Sequence, residues 1–137
     1  MKAELATKIR FGLVGIANTL IDLVGYTLLT LAGLPLLVAN TLSTSAGMVC
    51  SFTLNRSFTF RATAGNTRTQ AILFFLVTAF GLWVVQPVVI ALVSGAFDGA
   101  NHIVATVGPK LVAVAFGLAW NYVLYSRVVF RAKEATA

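Results

Sequence analysis

Two ionisable residues stand inside long apolar runs of this sequence, where a charge is costly. Asp22 lies near the middle of the first run, one helical turn after Asn18, and Lys110 lies early in the last run. An unpaired carboxylate at the centre of a bilayer costs ~3 kcal/mol on an insertion scale. If both runs span a membrane, the two residues differ in depth by about 5 Å, which a lysine side chain can bridge. The sequence therefore predicts that Asp22 and Lys110 form an ion pair or share a polar cavity.

Three interpretations of this pair remain open. The pair locks two helices together, or it belongs to a site for a charged or sugar-bearing ligand, or Lys110 extends outward while Asp22 is protonated. We predict the second, because further polar residues are available along the apolar runs. The predicted lining of this polar translocation cavity consists of Asn18, Asp22, Asn40, Thr44, Lys110 and Asn121.

A second set of candidates stands at the ends of the apolar runs. Guanidinium groups bind phosphate oxygens through paired hydrogen bonds, which makes arginines at a membrane surface candidates for phosphate binding. Anchoring of the helix ends explains any single arginine equally well. Asn55 and Arg56 are a stronger signal, because an amide and a guanidinium stand side by side. The predicted phosphate-binding residues are Arg10, Asn55, Arg56 and Arg127.

Patterns for common catalytic and cofactor chemistry are missing from the sequence. We find no glycine-rich phosphate loop, no metal-ligand spacing and no Ser/His/Asp set. His102 is the only histidine, and Asp98 and Glu134 are isolated. A nucleotide-sugar transferase needs clustered carboxylates for its metal ion. We therefore expect no catalytic residue, no metal, no cofactor and no enzymatic activity.

The composition predicts the elements that position these residues. The 137 residues are 58% hydrophobic and only 10% charged, too little polar surface for a soluble domain of this size. Four apolar runs, at about 9–31, 36–54, 71–96 and 103–125, each have the ~20 residues that a helix needs to cross ~30 Å of hydrocarbon. The predicted fold is an all-α bundle of four transmembrane helices. Gly33 to Pro35 should form a tight hairpin, and Pro87 should kink the third helix.

The distribution of basic residues predicts the orientation. Nine of the ten lysines and arginines lie before span one, between spans two and three, or after span four. Basic segments stay in the cytoplasm, so both termini are predicted to be cytoplasmic. The predicted location of the protein is the inner, cytoplasmic membrane. The net charge of +6 does not indicate a nucleic-acid partner, because the charges form no basic face with aromatic residues. Phe58, Phe60 and Phe130 are predicted as anchors at the membrane interface.

An internal repeat organises the chain. Small or polar residues stand four apart in span two (Ala39, Ser43, Gly47, Ser51) and again 70 positions later (Pro109, Ala113, Gly117, Asn121). SFTLNRSFTFRA ends the first set and NYVLYSRVVFRA the second, and Lys110 falls opposite Asn40. The sequence predicts one domain, 1–137, with repeats at about 9–62 and 71–132 in the same orientation. Because small faces permit close helix packing in lipid, we also expect a homo-oligomer, most simply a dimer.

These motifs together resemble the GtrA family. The resemblance rests on RFGLVGIANTLID in span one, on the lysine early in span four and on the N-R-x-x-T-F ending formed by Asn55, Arg56, Thr59 and Phe60. It covers the chain from Arg10 to Arg131. It implies a small four-span protein of cell-surface polysaccharide synthesis that moves a polyprenyl-phosphate-linked monosaccharide across the membrane, or accompanies the glycosyltransferase that makes or uses it. The second repeat departs from the motif, because Arg127 falls opposite Ser57 rather than Arg56.

Residues and resemblance together predict a flippase-type carrier for a lipid-linked sugar. The arginines would hold the lipid phosphate at the cytoplasmic surface, and the polar cavity would pass the sugar and the phosphate. Two alternatives remain. One is a membrane subunit that anchors or regulates a polyprenyl-phosphate glycosyltransferase without transport. The other is a small proton-coupled exporter of cations built on Asp22, which the basic inner rim disfavours.

Overall fold

The computed structural model describes residues 1–131. Its helices in chain order are α1 (Lys2–Leu31), α2 (Leu36–Leu54), α3 (Thr67–Phe80), α4 (Gln86–Val93) and α5 (His102–Leu124). π-helical turns at Asn55–Thr59, Gly81–Val85 and Tyr125–Val129 continue α2, α3 and α5, and a 3-10 turn at Ser94–Phe97 follows α4. The chain divides into a first unit, Met1–Gly65, and a second unit that begins at Asn66.

Four helical stretches are long and apolar enough to cross a membrane: Lys2–Leu31, Leu36–Thr59, Thr67–Phe97 and His102–Val129. The prediction of an all-α protein with four transmembrane helices is therefore confirmed, and the protein is a multi-pass membrane protein. The first helix begins earlier than predicted. Its added turns carry an ion pair between Lys8 and Glu4 (2.9 Å), the i, i+4 spacing that stabilises an exposed helix end.

The first unit is a hairpin of α1 and α2. Gly33 adopts a φ of +91°, and the Leu34 N–H donates to the Leu29 carbonyl while the Gly33 N–H donates to the Thr30 carbonyl. These two bonds are a Schellman ending, which needs a left-handed residue at the glycine position. The hairpin predicted at Gly33–Pro35 is thus present, and it returns α2 along α1.

In the first unit, small side chains are buried between the helices and long apolar side chains are exposed on the outside. The buried residues of α2 are small, namely Ala39, Ser43 and Gly47, so three of the four positions of the predicted small-residue face are buried. Long apolar side chains such as Leu20, Leu23 and Leu42 are exposed. Since lipid solvates them as well as a core does, close backbone approach rather than apolar bulk holds the two helices together.

The second unit combines α3, α4 and α5. Its third span contains an irregularity one turn before the predicted kink site, because the Gln86 N–H donates to the Gly81 carbonyl across a π-helical turn. Pro87 follows directly, inside the continuous span, where it has no N–H to donate to the preceding turn. Asn66 and Asn101 cap α3 and α5 by accepting from the N–H groups of Thr69 and Val104, each at 3.0 Å.

The two units share features 70 residues apart. The Phe60 N–H donates to the Asn55 carbonyl at 2.9 Å, and the Phe130 N–H donates to the Tyr125 carbonyl at 2.8 Å, closing equivalent π-helical turns. Pro109, Ala113 and Gly117 are buried in α5, as their counterparts are in α2. The internal repeat itself stays a prediction. Ala132, the last residue of its second copy, lies outside the described residues.

Candidate functional site

The Asp22 carboxylate is bound inside the first unit. Its Oδ1 accepts a hydrogen bond from the Ser43 hydroxyl at 2.7 Å and another from the Thr44 hydroxyl at 3.2 Å. Asp22 lies nine residues before the end of α1 and Ser43 seven after the start of α2, about 13 and 10 Å from the hairpin turn. The antiparallel hairpin therefore brings α1 and α2 together at the same depth, and the carboxylate joins them inside the apolar region.

Asn18 extends this polar contact by one helical turn. A Cβ added at Gly47 would lie 2.6 Å from the Asn18 Oδ1, so the amide of α1 rests directly on the α2 backbone. Any larger residue at this position would force the Asn18 amide to move. Asp22 and Thr44 are thus in contact, Asn18 lies one helical turn away on α1, and their membership of one site stays a prediction. Asn40 is exposed, and its backbone carbonyl lies 3.1 Å from the Ser43 hydroxyl, whose single proton it shares with the Asp22 Oδ1.

The basic end of the first unit contains a cation–aromatic contact. The Arg10 Cζ lies 5.4 Å from the centre of the Phe58 ring, close enough for attraction between the guanidinium and the ring face. Phe58 is 45% exposed and Arg10 half-buried, so the pair lies at the surface of the hairpin end. Arg10 and Asp22 are twelve residues apart, or about 18 Å along α1.

Arg56 has a structural role that the sequence did not indicate. Its guanidinium donates to the Thr63 carbonyl at 2.8 Å and to the Gly65 carbonyl at 3.1 Å. In the chain between Arg56 and Thr63, Arg61 adopts a φ of +50°, an uncommon conformation for a residue other than glycine. Arg56 therefore fixes the loop that comes after the π-helical turn of α2.

Asn55 and Thr59 lie on the buried side of that turn, 1% and 2% exposed. The Asn55 amide nitrogen donates to the Ser51 hydroxyl at 3.2 Å. Among the described residues, the Asn55 Oδ1 and the Thr59 Oγ1 have no hydrogen-bond partner. Buried acceptors of this kind are unusual in native proteins. Asn55 is therefore buried, and its role in phosphate binding stays a prediction.

The second unit holds Lys110 through Gln86. The Lys110 Nζ donates to the Gln86 Oε1 at 3.2 Å, and Lys110 is exposed. The Gln86 side chain also lies over Gly117, where an added Cβ would be 3.0 Å from the Gln86 Nε2. Sequence reasoning did not select Gln86 or Ser43 as site residues. Gln86 did leave a signal, since it is the only amide side chain in the third apolar run.

The remaining candidates of the second unit lie nearer its basic end. Asn121 is half-buried, and its Oδ1 has no hydrogen-bond partner among the residues that the structure describes. Arg127 is exposed. The prediction that Phe130 anchors the membrane interface is wrong. Phe130 is 2% exposed and packs against Phe74 and Tyr125, with ring centres 6.2 and 5.9 Å away.

Asp22 and Lys110 belong to different units, and each has polar partners inside its own unit. Their predicted pairing and shared cavity stay predictions. Within residues 1–131, no group of three or more His, Cys, Asp and Glu side chains could hold a metal ion.

A profile of the family described as "GtrA/DPMS, transmembrane domain" matches residues 10–130. The matched range begins at Arg10 and ends at Phe130, and so includes every candidate residue described above. A search of curated proteins finds no match to the chain.

Proposed function

The chain belongs to the GtrA/DPMS transmembrane domain family, which links it to the handling of lipid-linked sugars, and from this premise we propose that it carries a polyprenyl-phosphate-linked monosaccharide across the cytoplasmic membrane. The transported lipid serves the synthesis or modification of cell-surface polysaccharide. The chain acts as a carrier without chemistry of its own. Transmembrane domains of this family are typically carriers or accessory proteins rather than catalysts.

One observation carries this proposal: the Asp22 carboxylate, held by Ser43 and Thr44, lies between two helices in the apolar part of a membrane-length hairpin. Helix association alone does not need a carboxylate, because small residues already bring α1 and α2 together. Placing the carboxylate there costs ~3 kcal/mol on an insertion scale. Polar and ionisable groups at such depth are typical of substrate pathways. In our proposal, Asp22 and Asn18 accept hydrogen bonds from sugar hydroxyls during passage.

The basic ends supply the phosphate site. Arg10 carries the first contact, because its guanidinium lies on the Phe58 ring at the surface of the hairpin end. Arg56 contributes by fixing the adjoining loop and through its positive charge. We propose that Arg127 supplies the positive charge for phosphate at the basic end of the second unit. The proposed orientation places these arginines in the cytoplasmic leaflet, where the lipid-linked sugar is loaded.

The proposed partners rest on the same premise. The substrate is the polyprenyl-phosphate sugar, and a glycosyltransferase that makes or consumes it is the expected protein partner. A homodimer is the expected assembly, although the buried residues of the small-residue faces of α2 and α5 already pack inside their own units. The shared Asp22–Lys110 cavity belongs to this proposal as a prediction.

The test is transport by the purified protein in liposomes. A labelled polyprenyl-phosphate sugar is incorporated, and its access to a membrane-impermeant reagent is followed over time. We expect faster access than in protein-free liposomes. Arg10→Gln should weaken lipid-phosphate binding about tenfold through loss of a charged hydrogen bond, whereas the exposed Arg61→Gln serves as the matched control. Equal losses of lipid-phosphate affinity in the two variants would show that general surface charge, rather than a specific site at Arg10, binds the phosphate.

The second candidate is a membrane subunit of a glycosyltransferase. It is favoured by Arg56, whose guanidinium binds two carbonyl groups of its own loop and so has a structural role rather than being held free for a lipid phosphate. Unaccelerated flipping together with intact binding to the transferase would select this candidate.

A further inference from the structure

The Lys110 ammonium lies deeper in the second unit than the position of Lys110 in the sequence indicates. Lys110 is about 12 Å along α5 from its start at His102. Its Nζ donates to the Gln86 Oε1 at 3.2 Å, and a Cβ added at Gly117 would lie 3.0 Å from the Gln86 Nε2. Gly117 is seven residues, or about 10 Å, farther along α5. Because the amide rests on Gly117 and the ammonium on the amide, the lysine side chain extends toward the middle of the span.

This direction is the reverse of the usual one. A lysine near the end of a transmembrane helix extends its ammonium toward the nearer interface, where water solvates it. The Cα–Cβ bond in a helix also tilts toward the N-terminal end, which for α5 is the His102 end. Holding the ammonium inward therefore requires a favourable contact. Among the described residues that contact is Gln86, since no ion pair of Lys110 is found there.

The local structure fixes Gln86 for this contact. Its own N–H donates to the Gly81 carbonyl across the π-helical turn of the third span. A Cβ added at Gly81 would lie 3.0 Å from the Trp120 Cδ1, so this turn packs closely on α5. Gly117 is buried, and its missing side chain leaves the Gln86 amide its place along the helix. The amide oxygen is thus presented to Lys110 from a fixed position.

The partner of Lys110 is a neutral amide rather than a carboxylate. An amide oxygen accepts a hydrogen bond from an ammonium without cancelling its charge, and two of the three ammonium protons remain for other acceptors. Asp98 is the only acidic residue in the described part of the second unit, and it precedes α5. The contact with Gln86 therefore keeps a positive charge at this depth.

We propose that Gln86 is a positioning residue, which holds the Lys110 ammonium inside the fourth span and leaves its charge available there. Its importance for transport rests on the proposed function, because a passing anionic group would then meet this charge within the membrane rather than at its surface. The holding of Lys110 does not depend on transport, so it can be measured separately.

The experiment measures the access of Lys110 to water. The full chain in phosphatidylcholine nanodiscs is acetylated with an N-hydroxysuccinimide ester, which is either membrane-permeant or made impermeant by a sulfonate. Mass spectrometry gives the acetylation of Lys110 relative to that of Lys2, which is exposed at the start of α1. The ratio of impermeant to permeant labelling reports access from water, because both reagents acetylate the same amine. We expect a low ratio at Lys110 in the wild type.

Two variants should release the ammonium. Gln86→Leu removes the acceptor and should raise the Lys110 ratio about tenfold, because the side chain then extends to the interface. Gly117→Ala leaves both partners unchanged and should raise the ratio as well, because its Cβ would displace the amide. The matched control is Ser94→Ala in the same span. The Ser94 hydroxyl donates to the Ile90 carbonyl at 2.6 Å, so its loss does not affect Lys110 and should change the ratio by less than about twofold.

Gln86→Glu separates the position of the ammonium from its charge. The glutamate keeps an acceptor at the same place, so the Lys110 ratio should stay within about twofold of the wild type. It also pairs with the ammonium and cancels the charge, so flipping in the liposome assay should fall about tenfold. Flipping at the wild-type rate in this variant would refute the use of the charge at this depth.

Two labelling results would overturn the positioning role: a wild-type ratio at Lys110 equal to that at Lys2, or equal ratios in Gln86→Leu and Ser94→Ala. Failure of the carrier is distinguishable from both. The expected labelling without any flipping by the wild type would refute transport and leave the role of Gln86. Flipping by the wild type with unchanged labelling in Gln86→Leu would refute the role of Gln86 alone.

Discussion

Removing the Ser43 hydroxyl tests whether the Asp22 contact stabilises the first unit. Ser43→Ala deletes the 2.7 Å hydrogen bond to the Asp22 Oδ1 and leaves the 3.2 Å bond from Thr44. Ser43 is 2% exposed, so water does not replace the lost donor. A hydrogen bond to a charged group contributes about 1.5–3 kcal/mol in soluble proteins. Polar contacts between membrane helices average about 0.6 and reach about 1.7 kcal/mol. We therefore expect a destabilisation of about 1–2 kcal/mol, or about 5- to 30-fold in the opening equilibrium.

Cys50 provides the readout. It is the single cysteine of the chain, it lies in α2, and it is half-buried. Because the thiol is already half-exposed, the part of its labelling rate in detergent micelles that exceeds reaction with the closed hairpin is taken as the measure of opening. Ser43→Ala should raise this rate about 5- to 30-fold.

The matched control is Ser45→Ala. The Ser45 hydroxyl donates to the Thr41 carbonyl within its own helix at 2.6 Å, so its loss removes no contact with α1. It should change the free energy of opening by less than about 0.5 kcal/mol. In a double-mutant cycle with Asp22→Ala, Ser43→Ala should show a coupling energy of at least about 0.5 kcal/mol. Equal effects of the two serine variants, or a coupling energy near zero, would refute the reasoning.

Two further predictions address close packing and the paired charges. Gly47→Ala places a Cβ 2.6 Å from the Asn18 Oδ1 and should cost about 1–3 kcal/mol, measured as a lower Tm in detergent. Gly12→Ala, whose Cβ meets nothing within 4 Å, should not lower the Tm, and an equal loss in both variants would contradict the packing argument. Exchanging Asp22 and Lys110 should restore part of the flipping that either single change removes, and a double variant no better than the worse single one would eliminate their pairing.

The sequence predicted the four spans because length and hydropathy alone decide whether a helix can cross a bilayer. Spacing also predicted the buried faces at Ala39–Ser43–Gly47 and Pro109–Ala113–Gly117, since residues four apart share one side of a helix. Orientation, repeat copies and domain organisation remain predictions. They depend on the membrane or on how helical pairs are arranged, and local periodicity does not specify that arrangement.

The site was harder to predict, because position in the sequence gives depth but not rotation about the helix axis. Depth alone placed Asp22 and Lys110 at similar levels. The structure shows the partner that each has within its own unit, Ser43 for Asp22 and Gln86 for Lys110. Ser43 had been assigned only to the small-residue face, although a serine there both permits close approach and donates a hydrogen bond.

Rotation also explains the error at Phe130. An aromatic residue at the end of a span is typical of an interfacial anchor, and Phe58 at 45% exposure is consistent with that role. Phe130 is the residue after the π-helical turn of Tyr125–Val129 and is buried, whereas Phe58 lies within the turn of Asn55–Thr59 and is exposed. Phe130 then packs against Phe74 and Tyr125, whose rings stack with centres 4.7 Å apart.

The π-helical turns connect the structural observations to the proposed function. Each costs regular helical bonds, and such turns occur frequently at functional sites. In this chain, one turn buries Asn55 and Thr59 beside the loop that Arg56 fixes, and another precedes Gln86, the partner of Lys110. If the chain is the proposed carrier, these turns are the places where polar groups interrupt helices that are otherwise regular in lipid.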